Sequence, residues 1–489
     1  MAGIVKTVSW RRRRPRAHAR RVTRTLARPA GTPAEHDNGS AVPGGEVAAA
    51  DGGPIARVVA ASLATGVFGA AALTLGVFGG APEHVITGSA LLAFAVGWAL
   101  LAVLSSRLTS RPQRWARVPA AALAVVGTGL VVLAPGDDAL TAAGWVWPPL
   151  LLVLAGWIAV RARQTLPGRA RSWLLYPVLG AMAVGAVGGG YQTVRVTLDH
   201  SALPAPGRTY VVDGHPLHLR CTGSGGPTVV LEGGLGETSL AWSWVTPAVS
   251  DTNRVCVYDR AGQGWSGDPA APQDANDVAD DLHALLVRAG ERGPYVLVGH
   301  SIGGTYALAH AARYPADVAG MVLVDSASPD QFTVLPAYAG FYAAWRRVSA
   351  LQPTLARLGV ARLVGSLLGS TLPEPAAAQN RAFAASARGA RSQRDELSRY
   401  RDVFRQAGAL TTLGGRPLVV VTATRGAQKG WPTAQDRLAR LSGNSSHRLV
   451  DATHASLLDD RQDSAAAVRA IQDVARSART STQSLATMQ

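Results

Sequence analysis

Residues 295–304 read Tyr-Val-Leu-Val-Gly-His-Ser-Ile-Gly-Gly, an apolar run that ends in Gly-x-Ser-x-Gly and passes at once into a helix-like run from Thr305 to Arg313. A short apolar run bounded by glycine reads as a buried strand. The order is therefore strand, sharp turn, helix. Gly299 and Gly303 carry no Cβ, so the chain can fold back on itself there without a clash. In that context the turn strains Ser301 and pushes its hydroxyl out above the end of a sheet.

The segments beyond residue 205 continue the alternation. Strands are expected at 209–212, 217–221, 228–231, 254–258, 295–298, 320–324, 417–421 and 447–450, with helices between them at 278–289 and 303–313. Such alternation argues for a mainly parallel sheet covered on both faces. The interval from Ser326 to Arg416 is too long for a structureless loop. It holds helical stretches at 341–351, 355–368, 379–387 and 393–407 and reads as an inserted helical cap, about 328–415.

The N-terminal half has a different character. Apolar stretches at 55–79, 85–104, 118–134, 140–160 and 173–190 approach the length of about 20 residues that a bilayer span needs. They imply an all-α transmembrane domain over 55–190, preceded by a basic arm at 1–54 read as disordered and cytoplasmic, and followed by a linker at 191–207. Arg107, Arg111, Arg114 and Arg117 follow the second stretch, and Arg161, Arg163, Arg169 and Arg171 follow the fourth. The alternate loops carry Glu83, Asp137 and Asp138. Positive loops stay in the cytoplasm, so five crossings place everything after Tyr191 outside. Trp145, Trp147 and Trp173 stand near span ends, where amphipathic rings anchor.

The net charge of +16 invites a nucleic-acid reading, but many arginines flank apolar segments, where a membrane explains them better. Lysine occurs only at Lys6 and Lys429, a bias that fits a GC-rich bacterial genome and places the chain in a bacterial cell membrane. Cys221 and Cys256 both fall in the outer half, where one disulfide or two buried thiols are equally open.

Five motifs occur in order: Leu231-Glu232-Gly233-Gly234-Leu235-Gly236, Tyr258-Asp259-Arg260-Ala261-Gly262-Gln263-Gly264-Trp265-Ser266, the turn at Ser301, Met321-Val322-Leu323-Val324-Asp325, and Asp451-Ala452-Thr453-His454. Together they resemble the α/β-hydrolase family, in the group with a cap after the sixth strand. The resemblance covers residues 208–489 and implies the α/β-hydrolase fold, a mainly parallel eight-stranded sheet with a helical cap. It also makes the second and fourth strands neighbours, which implies a Cys221–Cys256 bond.

The chemistry implied is nucleophilic acyl transfer. A serine hydroxyl attacks a carbonyl only when a base takes its proton. Ser301 is the expected nucleophile and His454, after the last strand, the expected base; His300, His310 and His447 are read as packing or misplaced residues. No carboxylate directly follows the seventh strand, so Asp325 at the end of the sixth is the expected acid, with Asp436 as the alternative. Ile302, with Gly234 or Leu235, is expected to offer the oxyanion N–H donors. The loop from Asp259 to Ser266 is read as shaping the pocket.

No metal-ligand spacing and no cofactor fingerprint occurs. The glycine-rich loop at 233–236 lacks the Lys-Ser/Thr of a phosphate-binding loop. The expected partners are a small-molecule acyl substrate, a lipid among the candidates, and a membrane. Serine at the turn argues against relatives that use a carboxylate there, such as dehalogenases. A prolyl-aminopeptidase-like activity and a non-catalytic membrane receptor are the alternatives. Leu363, Val364, Leu367 and Leu368 of the cap are read first as packing onto the hydrolase body, and second as meeting lipid.

Overall fold

The structure, a computed structural model, describes residues 52–168 and 171–486. The expected basic arm lies outside the described residues, apart from 52–54, which open the first helix, Gly52–Ala71.

Eight strands form one sheet: β1 (Arg208–Val212), β2 (His215–Thr222), β3 (Val229–Glu232), β4 (Val255–Tyr258), β5 (Tyr295–His300), β6 (Val318–Val324), β7 (Leu418–Arg425) and β8 (Ser445–Thr453). Their order is β1-β2-β4-β3-β5-β6-β7-β8. Only β2 runs against its neighbours. β3, β4 and β5 are buried along their whole length, as strands covered on both faces must be. Their valines and leucines pack on one side against the C-terminal helix Ser464–Ala486 and on the other against Ala275–Arg288 and Ile302–Arg313. In the β2–β4 register Cys221 faces Cys256 directly, and the two form a disulfide with Cα atoms 4.1 Å apart.

The cap joins β6 to β7. The helix expected at 355–368 is two helices, Gln352–Arg357 and Val360–Leu368, broken at Gly359, whose φ is +78°. The helix expected at 393–407 is likewise divided, into Ala387–Ser398 and Tyr400–Ala407. Leu363, Val364 and Leu367 do not pack onto the hydrolase body as first expected: they are 63%, 46% and 78% exposed, and the side chain of Leu368 lies outside those described.

Among the described residues, four helical segments are long and apolar enough to cross a membrane: Gly53–Val77, Glu83–Leu108, Arg114–Leu133 and Trp173–Asp199. The fourth expected stretch is a pair, Asp137–Ala143 and Trp147–Thr165, bent by 46°. Pro148 and Pro149 have no N–H to continue the ladder across that break. The expected linker is largely absent, because the last helix, Tyr176–Ala202, runs on through most of it.

The cap rests on the ends of these helices. Arg357 is 2.6 Å from both Glu83 and Asp137. Arg362 is 2.8 Å from Asp199 and donates to Gln192 at 2.9 Å. Gln192 in turn donates to the Ala385 carbonyl at 2.8 Å, and Thr87 meets Thr354 at 2.7 Å. Arg346 and Arg347, in the cap helix Tyr338–Ser349, crowd Gly80 and Gly79. Arg107 stands at the opposite end of its helix from Glu83, some 36 Å along the axis at 1.5 Å per residue.

Candidate active site

The turn at Ser301 is as tight as its glycines require. Ser301 has φ 54° and ψ −126°, a conformation that costs a non-glycine residue of order 1–3 kcal/mol and persists only where its surroundings enforce it. A Cβ on Gly299 would lie 2.4 Å from Gly304 Cα, and one on Gly303 would lie 2.4 Å from the Glu232 carbonyl oxygen. The helix Ile302–Arg313 can therefore start against β3 and β5 only with glycine at both places.

Asp325 directly follows β6, with φ 41°, and is buried. Its Oδ2 lies 2.6 Å from His454 Nδ1. Its Oδ1 accepts from the Ala423 N–H at 3.1 Å and from Trp431 Nε1–H at 2.8 Å. With Nδ1 so engaged, His454 has Nε2 left to work with, and its side chain is 48% exposed. Asp436 goes elsewhere: its Oδ1 meets His447 Nδ1 at 2.9 Å, while His447 Nε2 meets Thr422 Oγ1 at 2.8 Å. Ser301, Asp325 and His454 line one cavity of about 300 Å³, with Leu235, Ile302 and an aromatic wall that includes Tyr338, Phe341, Trp345 and Trp431.

Of the two expected loop donors, Gly234 is corrected. Its N–H donates to Glu237 Oε2 at 2.6 Å and is not free to meet a second anion. Leu235 N–H and Ile302 N–H have no acceptor among the described residues, and both residues line the cavity.

Residues 227–460 match the family model described as alpha/beta hydrolase fold. This half of the chain has the α/β-hydrolase fold. The chain is 31% identical over 307 residues to an uncharacterised protein of Schizosaccharomyces pombe, covering 53% of this chain and 54% of that protein. It is 37% identical over 126 residues to the 2-hydroxymuconate semialdehyde hydrolase of Pseudomonas sp. (strain CF600), covering 25% of this chain and 44% of that enzyme. The crystal structure of the enol-lactonase from Burkholderia xenovorans LB400 aligns with a TM-score of 0.42 at 21% identity, over 55% of this chain and 99% of that one. The chain spans about half the length of the first curated relatives it matches.

Two groups at the site escaped the sequence reading. Glu237 accepts from Gly234 N–H and lies 3.1 Å from His300 Nδ1. His300 Nε2 lies 3.1 Å from the His454 carbonyl oxygen. Both ring nitrogens of His300 thus face acceptors, and only the imidazolium donates from both. Burial works against that charge, but Glu237 outweighs it and holds the His300 pKa above its ordinary value. Burial likewise pushes Glu237 up, and His300 with the Gly234 N–H brings it below the usual carboxylate range. The pair ties together the loop after β3, the residue before Ser301 and the segment that carries His454.

Arg260 is the second group, and it is buried. It is 2.7 Å from both Glu232 and Glu396 and donates to the Gly233 and Gly234 carbonyls at 2.7 and 2.6 Å. It fastens the loop after β3 to the cap. An arginine inside a glycine-containing loop was the one available signal for it; Glu237 had none. The structure also brings Cys221, Cys256 and Glu291 together, but the two sulfurs are bonded to each other, so no thiolate is on offer to a metal.

Proposed function

We propose that this protein is a membrane-anchored serine hydrolase that cleaves ester or related acyl bonds through an acyl-enzyme, with Ser301 as nucleophile, His454 as general base and Asp325 as its orienting acid. One observation carries the reading: a strained serine and a carboxylate-held histidine open on the same cavity as two unengaged backbone N–H groups. His454 Nε2 takes the Ser301 proton as Oγ bonds to the carbonyl carbon. The Leu235 and Ile302 N–H groups meet the oxyanion, and Asp325 steadies the imidazolium and fixes its tautomer. The tetrahedral intermediate collapses, the leaving group departs with the His454 proton, and water repeats the sequence to free the acid and Ser301.

The membrane part of the proposal places the chain in a bacterial cell membrane with the hydrolase half outside. It is supported by the cap's contact with the acidic helix ends at Glu83, Asp137 and Asp199, while the arginine-rich loops occupy the other end. The disulfide is in keeping with an oxidising compartment.

The test is labelling of the full-length protein with a fluorophosphonate probe. Wild type should label, Ser301→Ala should not, and His454→Ala should label far more slowly. Folded wild-type protein that stays unlabelled would sink the catalytic reading in favour of a binding module.

A further inference from the structure

The cap helix Val360–Leu368 is turned the wrong way for a water-soluble protein. Val360, Leu363, Val364 and Leu367 fall at the i, i+3, i+4, i+7 positions of one helical face. That spacing ordinarily buries a stripe against a core. Here the four are 40%, 63%, 46% and 78% exposed, while Arg362 points the other way to Gln192 and Asp199. An exposed apolar stripe of this regularity needs an occupant.

The place of the helix says which occupant. Gly359, the residue before it, is pressed against the last span: a Cβ there would lie 2.9 Å from the Gly188 carbonyl oxygen, and a Cβ on Gly188 would lie 2.3 Å from the Leu358 carbonyl oxygen. Gly188 stands 15 residues beyond Trp173, where that span begins, or about 22 Å along the axis, within a hydrocarbon core about 30 Å thick. At the same level the span itself exposes Val184, Val187 and Tyr191. The stripe is therefore carried on a helix whose preceding residue already touches the span below the edge of the apolar layer, and Arg362 reaches up to the polar end at Asp199.

We propose that the Val360–Leu368 helix lies in the lipid leaflet on the hydrolase side, with its Val360-Leu363-Val364-Leu367 face among the acyl chains. An amphipathic helix in that plane sinks about 5–10 Å into the boundary between headgroups and chains, the depth that the Gly359–Gly188 contact sets here. The inference rests on the membrane-anchored reading and makes the cap a part of the membrane surface. The same cap carries Tyr338, Phe341 and Trp345 of the site cavity on the helix whose Arg346 and Arg347 cover Gly80 and Gly79. The cavity wall and the turn between the first two spans are thus a few residues apart along one helix. Acyl substrates dissolved in the leaflet are the class this arrangement brings to Ser301.

The test uses the full-length protein in phosphatidylglycerol-containing vesicles doped with a nitroxide-labelled lipid. The native cysteines are paired, so an environment-sensitive fluorophore goes onto a new cysteine at Leu367→Cys, at Phe68→Cys in the first span, or at Leu449→Cys on β8, each an exposed position. The labels at 367 and 68 should lose most of their fluorescence to the lipid nitroxide, and the label at 449 should keep it. A label at 367 that behaves like the one at 449, while 68 is quenched, overturns the inference and leaves the anchor standing. A label at 367 that is dry but unquenched means protein, such as a second copy, covers the face, which also overturns it. If 68 is unquenched, the membrane reading itself has failed.

Discussion

Two clusters of buried or partly buried charge in this molecule do different work. At the C-terminal ends of the strands, Asp325, His300 and Glu232 are carried on or directly after β6, β5 and β3, strands in the middle of the sheet. Their partners His454, Glu237 and Arg260 complete an arrangement that the sheet already holds. At the seam between cap and spans, Arg357 meets Glu83 and Asp137, and Arg362 meets Asp199, across helices that no shared sheet joins. The ion pairs at the sheet orient groups; those at the seam hold two bodies together. Charge changes at the sheet should therefore alter rate with little loss of structure, and charge changes at the seam should do the reverse.

The largest expected effect is at the sheet. Asp325→Asn keeps the Trp431 and Ala423 contacts within reach but offers His454 Nδ1 the wrong partner, so kcat for an ester substrate should fall by about 10⁴-fold, as it does where other triads lose the tautomer. Asp436→Asn should leave kcat near wild type, since Asp436 faces His447. Steady-state kinetics of both variants decide it. A large loss in Asp436→Asn with a small one in Asp325→Asn would transfer the acid's role and break the contrast at its strongest point.

The seam comes next. Arg357→Ala would leave Glu83 without its cation and Asp137 with only the longer contact to Arg391, at 3.8 Å. Removing one partner of such a partly buried cluster costs about 2–3 kcal/mol, below the value for a fully buried pair because the arginine is 15% exposed. Hydrogen exchange should quicken across the helices Gln352–Arg357 and Val360–Leu368, while fluorophosphonate labelling of Ser301 continues at close to the wild-type rate. Equal acceleration of exchange in β5 and β6 would show that cap and sheet unfold as one, and the distinction between the two charge clusters would go.

The same contrast explains what could be read from the residues alone. All eight strands were legible as short apolar runs between turn residues, and their true ends differ by a few residues where pairing continues, as in β7 and β8. The meeting of Asp325 with His454 was legible because both sit at strand ends, where topology alone decides what is near. Glu237 and Arg260 were not. Glu237 reaches His300 across 63 positions and Arg260 reaches Glu396 across 136, through loops whose course no local pattern encodes. The cap stripe failed for another reason. A period of 3.6 specifies that a helix has an apolar face, and is the same whether that face meets a core or lipid. The bend at Pro148 also defeats a length count, since hydropathy does not register where a helix stops.

The smallest expected effect lies between the two clusters, at His300. The group is carried on the sheet, yet its job is to join three segments, so it should show a little of both behaviours. The titratable groups that face it are Glu237 and the His454 ring, with Asp325 and Asp459 near by, and its Nε2 lies 3.1 Å from the neutral His454 carbonyl. Its pKa is raised on folding, so the stability it lends is complete below the unfolded value of about 6.5 and is lost as pH climbs through the raised one. Glu237 is depressed, so its share is complete above about 4.3 and is lost as pH falls through the lowered one. The pair therefore contributes most in a mildly acidic window, on the order of 1 kcal/mol after allowance for the partial exposure of Glu237. Thermal melts of wild type and His300→Gln, taken from pH 4.5 to 8.5 at constant ionic strength, should differ most near the acid end and converge as pH rises. A gap that widens toward alkaline pH would mean that His300 is neutral in the folded protein, and that the bridge from Glu237 to the His454 segment carries no charge.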